Sequence, residues 1–390
     1  MLALKGSYTY LTPLSSTFPL VSSILRTYRK PNYTSFHRFN LVASSSSSVT
    51  PISTSPVSIS HKPQIPLFLR PPIYSTTLLD LHNFITWAKT LAFSIGSTFA
   101  EIDNGPDSTL LVRELNWFLD DAIEDPLIVS QLGVSQIGRL WSKSVGLRAS
   151  LDDMYKLWRG RIEERRPFQY IVGCEHWRDL VLSVEEGVLI PRPETGKIVH
   201  LVEKVMGGEF EDLKDGVWAD LGTGSGALAI AISRVLGKNG KVIATDLSPV
   251  AVAVASYNVE RYGLQDLIKV EQGSWFEPLK EFEGQLAGVV SNPPYIPSED
   301  ISGLQAEVGR HEPILALDGG EKGMDDLFHL STRMSIMLKP GGFFVVETNG
   351  EKQCRILTDY LKNATRNSFC DVNIISDFAD IPRFVTGRRR

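Results

Sequence analysis

No aspartate or glutamate occurs before Asp80 in this 390-residue chain, although Lys5, Arg26, Arg29, Lys30, Arg38, Lys62 and Arg70 all fall in that stretch. Nor does the stretch hold a compact apolar segment ending in small residues, which argues against a secretory signal. It is rich in hydroxyls instead, with a serine run from Ser44 to Ser48 followed by Thr50, Ser53 and Ser55. Basic, hydroxylated and acid-free is the composition of an organelle transit peptide. Residues 1–75 are therefore expected to be a transit peptide or disordered leader. Its sparse arginine favours the chloroplast stroma over the mitochondrial matrix.

Other absences narrow the function. Cysteine is scarce: Cys174, Cys354 and Cys370 are odd in number and form no Cys-x-x-Cys pair, so neither a disulfide framework nor a zinc site is expected. The histidines, among them His176, His200, His311 and His329, show no ligand spacing, and no metal is expected. No apolar run approaches the roughly 18 residues of a membrane span, so no membrane partner is expected. Excess positive charge is missing as well. Seven of the 40 basic residues precede Asp80, which leaves 33 against 45 acidic ones in residues 80–390, a net charge of −12. That balance speaks against broad nucleic-acid binding.

Residues 76–173 read as helical. Ser150-x-x-Asp153 is a capping box before Leu151, Met154, Trp158 and Ile162, which follow three- and four-residue steps. Leu111, Leu115 and Phe118 mark a second amphipathic face, and Gly105-Pro106-Asp107 and Asp125-Pro126 break the helices. With no strand-like alternation, this segment is expected to be a small helical domain for substrate docking. Leu180–Val184, then Glu185-Glu186-Gly187, then Val188–Ile190 predicts a β-hairpin linker over 174–195. From Glu194 a helix begins. After Val217 strands and helices alternate, with strands near 217–221, 241–246, 267–272, 286–291, 342–348, 370–376 and 382–387, and helices near 225–237, 248–263 and 324–338. Such alternation implies an α/β, doubly wound, Rossmann-like domain over 196–390.

The first of these strands runs into Gly222-Thr223-Gly224-Ser225-Gly226 and then directly into a helix. Glycine lets a nucleoside approach the turn and tolerates positive φ, while the helix start offers amides to a carboxylate. Asp246, 22 residues after Gly224 at the end of the second strand, suits the two ribose hydroxyls. A dinucleotide loop would put its third glycine at 227; the alanine there is also tolerated, so spacing alone leaves NAD open. Gly226 favours adenosylmethionine.

The motif that decides is Asn292-Pro293-Pro294-Tyr295 after the fourth strand. First and fourth strands are neighbours at the switch point of a doubly wound sheet, so this turn and the glycine loop should share one crevice. Two prolines stiffen the turn and free backbone carbonyls from donors. Such a turn suits a planar N–H₂ group, whose nitrogen is a poor nucleophile. The Asn292 oxygen and the Pro293 carbonyl can accept its two N–H bonds, Tyr295 can pack on its face, and the lone pair is then aimed for in-line transfer.

Together these residues resemble the HemK/PrmC family of protein glutamine N5-methyltransferases, which modify class I peptide chain release factors. The similarity spans roughly 110–390. It includes Arg166-Pro167-x-x-Tyr170-Ile171-x-Gly173, Leu189-Ile190-Pro191-Arg192-Pro193-Glu194-Thr195, Trp275-Phe276 and Glu312-Pro313-x-x-Ala316-Leu317-x-Gly319-Gly320. Asn-Pro-Pro-Tyr is shared with adenine-N6 and guanine-N2 methyltransferases; the first two stretches are more specific to this family. The resemblance implies a class I methyltransferase domain in which Gly222, Thr223, Gly224, Ser225, Gly226, Asp246, Trp275 and Asn292 hold S-adenosyl-L-methionine. Asn292, Pro293, Pro294 and Tyr295 would hold the target glutamine, with Asn292, Pro293 and Tyr295 catalytic. The implied substrate is the Gly-Gly-Gln loop of an organellar class I release factor, gripped by the helical domain of a monomer. Ser274 stands where relatives commonly have Asp, and Glu347-Thr348-Asn349 replaces the usual Glu-x-Gly. The competing reading, an adenine-N6 nucleic-acid methyltransferase, predicts a basic groove and a target-recognition domain. The acidic remainder offers neither, and no sequence-specific nucleic-acid contact is expected.

Overall fold

Side-chain caps decide where the first helices start. In the computed structural model, which describes residues 61–128, 141–208, 211–363, 365 and 367–390, strand β1 (Tyr74–Thr77) leads into α1 (Leu78–Ile95). Thr77 accepts from the Asp80 amide to begin that helix. After α2 (Thr98–Asp103), the Asp107 carboxylate caps α3 (Ser108–Ala122). Strand β2 (Ser144–Leu147) precedes α4 (Leu151–Glu163), capped by Ser150 as its capping box predicts, and α5 (Phe168–Val172) ends at Gly173 with φ of 76°. The leader reading for residues 1–60 lies outside the described residues.

Three expectations change here. The helical segment contains a small sheet, because β1 pairs antiparallel with β2, Tyr74 opposite Leu147. Four-residue strands are too short to show an alternating pattern, so only the pairing reveals them. The hairpin is shifted: β3 (Cys174–Trp177) pairs with β4 (Leu180–Ser183), and residues 188–190 are not in a strand. Leu180–Ser183 has Cys174–Trp177 before it and the apolar Val188–Ile190 after it, and its own periodicity does not choose between them. Finally, packing begins before residue 76. Leu67 is fully buried in the helical core, Gln64 N–H donates to Glu185 Oε2 at 2.6 Å, and Ser183 Oγ donates to Gln64 O at 2.8 Å.

Beyond the hairpin come α6 (Gly196–Met206), β5 (Val217–Leu221), α7 (Ala227–Leu236), β6 (Lys241–Asp246), α8 (Pro249–Arg261), β7 (Ile268–Gln272) and β8 (Leu286–Ser291). The one-turn α9 (Ala306–Gly309), α10 (Asp325–Met337), β9 (Leu338–Glu347), α11 (Glu351–Asn363), β10 (Phe369–Ser376) and β11 (Pro382–Arg389) complete the domain. Helix α11, which is not among the expected elements, buries Cys354, Leu357 and Leu361 at helical spacing together with Gln353 and Thr358. The sheet order is β10-β11-β9-β8-β5-β6-β7, parallel from β9 to β7, with β11 antiparallel to both neighbours. This is the expected doubly wound sheet. Trp218 faces a core with Leu228 and Ile232, while the next residue, Ala219, faces the other with Leu327, Met334 and Phe344. Each fully buried large side chain contributes about 1.5–3 kcal/mol. Opposite Trp218 on β8 is Gly288; a Cβ there would lie 2.3 Å from the indole, so only glycine lets these strands pair.

A buried ion network joins the helical unit to the sheet domain. Arg161 donates to Glu114 (2.7 and 3.2 Å) and to Glu307 (3.0 Å), and Arg165 donates to Glu307 (2.7 Å) and Asp103 (2.9 Å). Burial alone would push Glu307 up, but Arg165 and Arg161 hold it below the usual carboxylate range.

Candidate active site

At the switch point, Leu221 of β5 sits opposite Ser291 of β8, and Ser291 Oγ donates to Leu221 O at 2.7 Å. Gly222 and Asn292 therefore leave the sheet side by side. The glycine loop turns because Gly222, Gly224 and Gly226 hold φ of 73°, 56° and 82°, a region that a side chain disfavours. A Cβ on Gly224 would meet nothing within 4 Å, so backbone conformation rather than space selects that glycine.

Under the loop, Asp220 is fully buried. Its Oδ2 accepts from Thr223 Oγ1 (2.6 Å) and Ala229 N–H (2.9 Å), while Oδ1 has no protein partner. Burial pushes its carboxyl up to about 7, against those hydrogen bonds. Asp246 accepts from Gly224 N–H at 2.8 Å through Oδ2 and from Ser248 N–H at 2.9 Å through Oδ1. Ser248, not Asp246, caps α8. A carboxylate has about four acceptor directions, so Asp246 keeps acceptor capacity beyond these amides.

A cavity of about 210 Å³ opens at this point. Gly222, Thr223, Gly224 and Ser225 line it, with Asp246 and Trp275 beyond them and Asn292 and Pro294 from the second loop. Three expected residues are not in the lining. Gly226 packs its Cα side against Ala255 of α8. Pro293 is buried behind the wall. Tyr295, expected on the face of the target, packs against the core beneath the loop, and its hydroxyl donates to Glu347 Oε1 at 3.2 Å.

Trp275 holds φ of 47°, unusual for a bulky residue, and its carbonyl accepts from Thr245 Oγ1 at 2.9 Å. Its ring lies against Gly222, and its indole hydrogen-bonds Asp326 of α10, which also lines the cavity. Asp326 carries no sequence signal: one acidic residue in the first turn of an amphipathic helix reads as a solvated helix start. Thr195 belongs to a stretch that carries the family resemblance, but nothing along the chain tells what it touches. It stands at the start of α6, lines the cavity, and its Oγ1 accepts from Asn292 Nδ2 at 3.2 Å. The Asn292 nitrogen is thus committed inward, and Oδ1 is the atom left for a ligand.

These residues fit S-adenosylmethionine, which carries an amino-acid head, two ribose hydroxyls and an adenine. Ser225 Oγ is buried at the cavity with no protein partner, α7 begins without a side-chain cap, and Asp246 keeps free acceptor capacity. Val188, Leu247 and Leu315 add apolar wall. Among the described residues no cluster of His, Cys, Asp and Glu could hold a metal, and no helix is long and apolar enough to cross a membrane.

Comparison with known proteins matches residues 201–294, the stretch holding both loops, to the family described as ribosomal protein L11 methyltransferase (PrmA). Over 275 residues the chain is 38% identical to the release factor glutamine methyltransferase of Synechocystis sp., covering 70% of this chain and 89% of that protein. Over 272 residues it is 37% identical to the protein of the same name from Gloeobacter violaceus, covering 68% and 90%. Among solved structures, the hMettl16 catalytic domain in complex with a MAT2A 3'UTR hairpin aligns over 60% of this chain and 80% of its own, with 17% identity and a TM-score of 0.42.

Proposed function

Because this chain belongs to the release factor glutamine methyltransferase family, we propose that it methylates the side-chain amide nitrogen (N5) of the glutamine in the Gly-Gly-Gln loop of an organellar class I peptide chain release factor. It is an S-adenosylmethionine-dependent methyltransferase. The observation that carries the substrate reading is the committed Asn292 amide: its nitrogen is spent on Thr195, so an acceptor oxygen faces the cavity beside the glycine loop. An acceptor is what a target N–H₂ group requires.

S-adenosylmethionine, when bound, supplies a methyl group activated by its sulfonium. The chain holds it with Asp246 at the ribose and with the Gly222–Gly226 turn and the start of α7 at the amino-acid head. Asn292 Oδ1 accepts one of the two target N–H bonds, which orients the nitrogen and its delocalised lone pair. No side chain is assigned as general base: once the methyl group is on the nitrogen, one N–H proton is released to solvent. The residues' contribution is position, and well-held reactants gain about 7–11 kcal/mol of barrier lowering at most. The apolar wall keeps water from competing.

We place the enzyme, as a monomer, in the chloroplast stroma on the strength of the acid-free, serine-rich leader. The helical unit is tied to the loop after Tyr295 through Glu307, and we assign it the body of the factor. Mass spectrometry of a plastid release factor incubated with enzyme and S-adenosylmethionine tests the reading. A single methyl group on the loop glutamine is expected, with none on a factor whose glutamine is replaced. Labelling of that replaced factor, or of adenine in nucleic acid instead, would overturn it.

A further inference from the structure

Asn292 can present an oxygen only if something prevents its amide from turning over, because the two ends of an amide are nearly the same size. Its partner, the Thr195 hydroxyl, does not enforce this by itself: a hydroxyl both donates and accepts. The element behind Thr195 breaks the symmetry. Glu347, at the carboxyl end of β9, is completely buried, and the Thr195 hydroxyl lies against its carboxylate. Tyr295 donates to its Oε1 at 3.2 Å. A carboxylate only accepts, so any proton shared between the two comes from Thr195, whose oxygen is then left to accept from Asn292.

Two further observations support this ordering. Thr195 occupies the N-cap of α6, where a threonine hydroxyl ordinarily bonds the helix's own amides, yet it makes no side-chain cap. The hydroxyl is diverted toward Asn292 and Glu347. And Glu347 keeps a buried oxygen, Oε2, without a hydrogen bond of ordinary geometry, a cost the fold would avoid with an apolar residue.

We propose that Glu347 is a positioning residue that acts through Thr195 to lock the Asn292 side chain with its oxygen toward the target amide, so that ionised Glu347 is the competent state. This rests on the glutamine reading above and says how that site is oriented. Protonated Glu347 could donate to Thr195, which could then donate to Asn292 Oδ1; the amide would turn and offer N–H₂ to N–H₂, which repels. Burial, and after it Glu194, push the Glu347 carboxyl up to about 7, while Thr195, Arg383 and Tyr295 pull the other way. Arg383 is itself held by Asp377 at 2.8 Å, and Arg192 stands near Tyr295. The switch therefore falls within the working pH range.

The test is steady-state transfer to the intact release factor between pH 6 and 9, with full-length enzyme and mass-spectrometric readout of the glutamine. Wild type should lose kcat on the acid side of about pH 7. Glu347→Gln, which can either donate or accept, should lower kcat by about tenfold to a hundredfold and flatten that acid limb. Its KM for the factor and its calorimetric affinity for S-adenosylmethionine should stay near wild type. Thr195→Val should fall likewise, and Thr195→Ser should restore transfer. Wild-type kcat in Glu347→Gln, or an acid limb that persists there and so belongs to Asp220, would overturn the proposal. A wild-type enzyme that leaves the glutamine unmodified would instead refute the substrate reading.

Discussion

Asn292 and Asp246 line the same cavity, and on the proposed reading they serve different molecules, so their loss should separate binding from transfer. Asn292→Ala leaves Asp246 and its bonds to Gly224 and Ser248 intact. Calorimetry should show S-adenosylmethionine affinity close to wild type, while transfer falls by about two to four orders of magnitude as the weak nucleophile loses its hold. Asp246→Ala should do the reverse at binding, weakening S-adenosylmethionine by about 2 kcal/mol. Equal affinity loss in both variants, or near-normal transfer by Asn292→Ala, would show the roles to be misassigned. Tyr295 illustrates how a motif can be read correctly and a role in it misplaced. The tetrapeptide announces a stiff turn at a strand end, but which way its last ring points depends on Glu347, 52 residues later.

At the scale of elements, the seam between α4 and α9 is held by charges rather than by apolar contact. Glu307 accepts from both Arg161 and Arg165, which are nearly inaccessible to water. Removing one member of such a network strands buried charge, so Glu307→Ala should destabilise the fold by about 3–5 kcal/mol. Glu307→Gln should cost less, because it keeps an acceptor. Urea unfolding measures both, and an alanine variant within experimental error of wild type would mean that the seam relaxes with water. The central strands of the sheet are readable because β5, β8 and β9 are largely buried apolar runs bounded by turns. The β1–β2 pair is not, since Tyr74–Thr77 and Ser144–Leu147 gain their order from each other. The hairpin register falls in between: Leu180–Ser183 reads as a strand, yet two flanking segments compete to pair with it.

For the whole molecule, two buried carboxylates set an opposition between stability and activity. Asp220 and Glu347 are pushed up to about 7 from ordinary values of 3.8 and 4.5. A carboxylate whose folded value is raised stabilises most below its unfolded value and loses that contribution as pH climbs through the folded one. The share of stability due to these groups therefore declines between about pH 4 and pH 7. Glu347→Gln should melt higher than wild type at pH 8, by about 2–4 °C for each kcal/mol regained, and the gap should close toward pH 5. Scanning calorimetry that finds the variant less stable at pH 8 would contradict the burial penalty. The proposed import is likewise a question for the whole chain. Residues 1–60 fused to a fluorescent reporter should carry it into plastids, and a cytosolic or secretory signal would remove the stromal assignment.

Local chemistry was enough for the sequence to determine the parallel sheet, the glycine loop, Asp246 and the Asn292 turn. Periodicity marks strands, positive φ demands glycine, and the switch point brings the ends of the first and fourth strands together whatever the details. Composition likewise sets the acid-free first 79 residues apart from the acidic remainder. What only the tertiary structure decided are partnerships between distant residues: Thr195 with Asn292 and Glu347, Trp275 with Asp326, Leu67 within the helical core. Each of these is a single side chain of common type with no pattern around it. Its meaning comes from the group that folding places beside it, and spacing along the chain does not encode that.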